Sequence, residues 1–69
     1  MNAIWRLDAE SLAAYTEDRD VMAKIRRSYP DFTVMAQYYR DGKLVALQYR
    51  IPTKRKRSAR RLLGVDVVR

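Results

Sequence analysis

The 69-residue chain contains no cysteine and no histidine. The first absence excludes disulfides and thiolate metal sites. The second removes the commonest metal ligand and the commonest general base. Glycine and proline occur twice each, too few for a disordered low-complexity segment. No apolar run approaches the ~20 residues of a membrane-spanning helix, and no signal-peptide pattern opens the chain. These shortages point to one domain, 1–69, with no cofactor, no metal, no membrane association and a cytoplasmic setting. A domain this short buries a modest core against roughly 1–2 kcal/mol of backbone entropy per residue. A homodimer is therefore one way for it to gain stability.

Acids are scarce where bases are dense. Residues 1–31 hold six acids and five bases, whereas residues 32–69 hold two acids and ten bases, so the +7 charge sits in the second half. Residues 54–61 read KRKRSARR, six bases in eight with no acid. Such a field attracts phosphates or acidic protein surfaces.

The acids that are present, Glu17, Asp18 and Asp20 with Asp8 and Glu10 nearby, could in principle hold Mg²⁺. Helix capping and an Asp20–Lys24 pair at i,i+4 account for them better. No glycine-rich phosphate loop accompanies them: the GKLVA segment lacks the required spacing. No catalytic residue is assigned, and a non-enzyme is expected.

The clearest element is a β-hairpin with strands at 32–39 and 44–51. Asp41-Gly42 between them suits the two positive φ angles of a type I′ turn. A two-residue loop sets Arg40 opposite Lys43. Phe32, Val34, Ala36 and Tyr38 then face Ile51, Tyr49, Leu47 and Val45, a uniformly apolar set and the expected core face. The other face collects Thr33, Met35, Gln37 and Tyr39 against Arg50, Gln48, Ala46 and Leu44.

Val21, Met22, Ile25 and Tyr29 recur at helical spacing. They predict a helix over 17–29, capped by Thr16, with acids in its first turn and bases in its last. A second, basic helix is expected over 54–63, with Thr53 as cap and Gly64 as stop. Residues 11–16 (SLAAYT) read as a third strand slightly ahead of a helical turn. The order β-α-β-β-α gives an α+β fold of two packed layers. Trp5, with Ile4 and Leu7, is expected to close one end of the core, with a place at a binding interface as the alternative. The tail after Gly64 is either a short strand or frayed.

The order of hairpin, short loop and a helix opening on clustered Lys/Arg, over 53–63, loosely resembles the end of double-stranded RNA-binding domains. In that family the basic start of the last helix grips phosphates across the major groove. The family has three strands where two are clear here, so no membership is assigned.

On the basic helix, Lys54, Arg57 and Arg61 share one side with Arg60 at its border, while Arg55 and Lys56 flank the apolar stripe. Arginine binds phosphate oxygens through two parallel hydrogen bonds. Cations at a helix start oppose the dipole, a cost that a bound polyanion removes. Arg40 and Lys43 bracket the hairpin turn, and Arg50 lies beside Gln37, Gln48 and Thr33. A two-stranded ribbon of that kind fits the major groove, where Gln and Arg read base edges. Tyr39 could stack a base, although cross-strand packing is the commoner role of a single exposed tyrosine.

The expected function is binding of nucleic acid, DNA ahead of RNA, as an accessory or regulatory factor. The competing readings are an inhibitor or adaptor docking on an acidic protein surface, and a hairpin-edge homodimer whose charge serves solubility.

Overall fold

A computed structural model describes residues 1–68. It consists of β1 (Asn2–Arg6), β2 (Ser11–Thr16), α1 (Arg19–Ser28), β3 (Thr33–Arg40), β4 (Lys43–Pro52), a 3₁₀ turn (Thr53–Arg55), α2 (Lys56–Leu63) and β5 (Val67–Val68). The five strands form one mixed sheet in the order β3-β4-β2-β1-β5. All pairs are antiparallel except β1 with β5. The α+β architecture, the hairpin, both helices and the strand at 11–16 match the reading of the sequence. Strand β1 is added to it, and of the two alternatives for the tail the short strand, β5, is the one found.

Strand β1 escaped because its hairpin with β2 turns through residues 7–10, which contain no glycine. Asp8 closes that loop instead: its Oδ1 accepts from the Glu10 N–H at 2.9 Å, an Asx turn.

Alternation along each strand separates two faces. Ile4, Leu12, Ala14, Tyr49 and Ile51 point to one side and pack with Val21 and Ile25 of α1 and Ala59 and Leu63 of α2. Both helices therefore cover the same face. Ala13 and Ala46 are also buried but lie outside that cluster, on the opposite side of the sheet.

The hairpin turn has the expected geometry, with φ 53° at Asp41 and 76° at Gly42. Its register agrees at both ends, Arg40 with Lys43 and Val34 with Tyr49, and differs between them. Val45 is an extra residue on β4 and Met35 an extra residue on β3, so two bulges cancel. Ala46, not Val45, is the buried residue of that stretch. Gln37 pairs with Leu47, and Ala36 pairs with Gln48. The expected core face of β3 is corrected accordingly. Val34 stays on the helix side but is exposed on an edge strand, Tyr38 turns to the helix-free face beyond the Met35 bulge, and of that set only Phe32 is buried.

Helix α1 begins two residues later than expected. Asp18 is its cap, accepting from the Asp20 N–H at 2.9 Å. Thr16 is instead fully buried at the end of β2. Its hydroxyl accepts from the Asp18 N–H at 3.0 Å and donates to Asn2 Oδ1 at 2.6 Å. The Asn2 amide in turn donates to the Leu63 carbonyl at 3.0 Å, so one relay joins β2, β1, the start of α1 and the end of α2. Thr16→Val should leave the Asp18 N–H and Asn2 Oδ1 short of a partner, at a cost of about 1–3 kcal/mol. Thermal unfolding should show this as a fall in Tm of about 4 °C or more. An unchanged Tm would mean that water replaces the hydroxyl.

Leu7 is exposed and Trp5 lies on the side away from the helices. Of the three residues expected to close the core, only Ile4 does so.

Candidate nucleic-acid interface

The basic segment does not form one regular helix. Pro52 and Thr53 open a 3₁₀ turn, and the α-helix proper starts at Lys56. Thr53 does not cap α2. Its hydroxyl donates to the Ala9 carbonyl and accepts from Arg6, each at 3.4 Å, which ties the turn to the β1–β2 loop. Ala59 and Leu63 are buried and Leu62 packs against the core, so Lys56, Arg57, Arg60 and Arg61 take the outward side of α2. Gly64 ends the helix as expected, in the left-handed conformation with φ 67°.

The six bases of the run have separate fates. Arg55 is part-buried: its Nε donates to Asp31 Oδ2 at 2.8 Å, and its guanidinium lies 5.9 Å from the Tyr29 ring centre. It fastens α2 to the segment after α1. Arg60 pairs with Asp66 at 3.0 Å. Lys54, Lys56, Arg57 and Arg61 are exposed, and none has a carboxylate within 4.0 Å among the described residues. Arg57, Arg60 and Arg61 line one shallow groove of about 400 Å³ beside Gly64 and Asp66. Lys56 lies on the other flank, in a groove of about 610 Å³ with Trp5, Arg6, Asp66, Val67 and Val68.

The remaining predicted contacts lie elsewhere. Arg40 and Lys43 sit at the far end of β4 from Lys54, roughly 30 Å along a ten-residue strand. Strand β2 pairs with β4 only from Leu47 to Pro52, so residues 37–46 project as a two-stranded ribbon carrying those two cations, steadied by Arg19, which donates to the Leu44 carbonyl at 3.2 Å. Arg50 pairs with Asp8 at 2.8 Å on the helix-free face, opposite α2. The bulges put Gln37 on the helix side, whereas Thr33, Arg50 and Gln48 of the expected base-reading group share the helix-free face, Thr33 opposite Arg50. Tyr39, expected beside them, pairs with Leu44 on the helix side of the sheet.

Sequence reasoning missed the aromatic residues of the helix-free face. Trp5, Tyr15 and Tyr38 share it, with Tyr15 and Tyr38 edge-to-face at 5.7 Å. Only the correct register of β1 against β2 and the bulge at Val45 bring them together, and neither has a turn signal in the sequence.

The Arg55 hydrogen bond holds the Asp31 carboxyl below its ordinary value of 3.8. A lowered folded pKa contributes stability above 3.8 that is lost as the pH falls through the folded value. Asp31→Asn should therefore be less stable than the parent at neutral pH. It should also lose less on going from pH 5 to below 3.8, as read by denaturant unfolding at each pH. Parallel losses would assign the acid sensitivity to Asp8 and Glu17, whose carboxyls are also lowered.

Among the described residues, no cluster of carboxylates could hold a metal ion, and no helix is long and apolar enough to cross a membrane. No family model, curated protein or solved structure matches the chain.

Proposed function

We propose that this chain is a small, non-catalytic nucleic-acid-binding protein that grips phosphates through the outer side of α2. The observation that carries this reading is the set Lys54, Lys56, Arg57 and Arg61, exposed and without carboxylate partners among the described residues. Helix α1 differs, because Asp18 and Asp20 stand at its start ahead of Lys24, Arg26 and Arg27. Helix α2 has no acid in its first turn and no side-chain cap, so a bound anion would supply what its first turn lacks. Arg40 and Lys43 on the projecting ribbon provide a second, distant contact suited to a ligand of extended shape. An accessory or regulatory role fits a domain with this much charge and no catalytic constellation.

The test is fluorescence anisotropy with labelled nucleic acid from low to physiological salt. Each neutralised phosphate contributes about −0.9 to the log–log salt slope on duplex DNA and about −0.7 on single strands. Four contacts give about −3.6 or −2.8 respectively. A slope near zero, or tight binding to one acidic protein with uniformly weak binding to nucleic acids, would replace this reading with that of an adaptor.

A further inference from the structure

The helix-free face of the sheet is lined with aromatic rings and bounded by cations. Trp5 pairs with Ala13 across the β1–β2 hairpin, and Tyr15 lies two residues beyond Ala13. The two residues are thus diagonal neighbours on one face, about 7–8 Å apart along their backbones. Tyr15 meets Tyr38 at 5.7 Å. Hydrogen bonds fix both tyrosines, Tyr15 to Glu17 at 2.8 Å and Tyr38 to Gln48 at 3.0 Å, so little side-chain freedom is left to lose on binding. Ala13 and Ala46 are fully buried beneath their larger neighbours on this face.

Charge frames this row at both ends. Arg40 and Lys43 stand on the same face at the Tyr38 end, paired across the hairpin tip. At the Trp5 end, the groove over the β1–β5 edge is lined by Arg6 and Lys56 as well as Trp5, and its one acid, Asp66, is paired with Arg60. That groove leads from the rings to α2. The acids on this face are already occupied, Asp8 by Arg50 and Glu17 by the Met1 ammonium. Two tyrosines held by hydrogen bonds and a tryptophan, set between cations, complement a chain that alternates flat bases with phosphates.

We infer that the helix-free sheet face is a stacking platform for unpaired bases, and that the ligand gripped by α2 is single-stranded nucleic acid. This rests on the reading of α2 as a phosphate contact. A single strand would lay its bases on Tyr38, Tyr15 and Trp5 and turn over the β1–β5 edge towards Lys56. Duplex bases, stacked on each other, have no ring faces to offer.

Trp5 is the sole tryptophan, so its emission reports on the platform in the unmodified protein. The probes are an oligothymidylate, an oligouridylate, an abasic deoxyribose-phosphate oligomer and a DNA duplex, all of one length. The expected result is quenching of Trp5 by one or both base-bearing single strands. Each stacked base should tighten binding about 5- to 150-fold over the abasic oligomer, and Tyr38→Ala should reduce that preference. The more tightly bound of the two single strands identifies the sugar.

Equal affinity for base-bearing and abasic oligomers with unchanged emission would overturn the platform and leave α2 standing. Preference for the duplex with unchanged emission would do the same. Quenching and base preference that persist in an Arg57→Ala/Arg61→Ala protein would support the platform and remove α2 from the phosphate contact. Trp5 emission that shifts with protein concentration alone would show a second copy covering this face, which also overturns the proposal.

Discussion

Replacing Arg57 and Arg61 together with alanine is expected to weaken nucleic-acid binding and make its salt slope shallower. On single strands the slope should fall in magnitude by about 1.4, on duplex DNA by about 1.8. The loss should be similar across sequences, because phosphate contacts carry no base information. Both side chains are exposed and make no ion pair among the described residues, so the double variant should unfold within about 0.5 kcal/mol of the parent. That separation makes the result interpretable. The matched control is Arg60→Ala, whose Nε is already held by Asp66 at 3.0 Å. It should alter the slope less than either neighbour. Equal effects at all three positions would show that bulk charge, and not placement on α2, sets the affinity.

The second large effect lies in the core. Leu12→Ala should destabilise the domain by about 2–5 kcal/mol, a large share of the few kcal/mol that a core this small supplies. Leu12 is fully buried, sits on a central strand opposite Ile51, and belongs to the cluster that includes Ala59 and Leu63. No shift of one helix can fill the space it leaves, since both helices are anchored on the same face. Tm should fall by about 8 °C or more. Val45→Ala offers the contrast: Val45 is the extra residue of a bulge and is exposed, so its truncation should cost within about 0.5 kcal/mol. A large cost at Val45 would restore the unbulged register and contradict the pairing of Tyr38 with Ala46.

The pair Val45–Ala46 also shows how far the sequence could be read. Asp41-Gly42 specified its turn because two consecutive positive φ angles suit few dipeptides, and the register next to the turn followed. Two bulges that cancel leave no trace at either end of the hairpin, so the apolar alternation Val45-Leu47-Tyr49 looked continuous when it was not. Gly64 was legible for the same reason as the turn. Thr16 was misread as a cap because a threonine before three acids satisfies the local rule equally well. Its burial depends on Asn2, a partner on another strand.

Of the candidate site, the concentration of charge in residues 54–61 was legible. The division of labour within it was not. Arg55 and Arg60 are occupied by Asp31 and Asp66, acids outside the run, and only the fold brings them near. Trp5 was misplaced in the core because the sequence offers no glycine to mark the hairpin that turns it outward.

The mixed sheet has a further consequence for how the chain is made. The two hairpins are local and can form as soon as their own residues are available, but β1 waits for β5. The Asn2 amide reaches a carbonyl 61 residues ahead of it, and the parallel pairing of Ile4 with Val67 closes the same long span. Contacts this distant in sequence form late and slowly. During synthesis, the outer edge of β1 therefore stays open until the basic helix and β5 have emerged. For that interval a partly built sheet presents a free strand beside Trp5, a situation that invites pairing with neighbouring nascent chains. The six cations of residues 54–61, four of them on α2, emerge only as that interval closes, so their repulsion between chains protects the finished sheet and not the open edge.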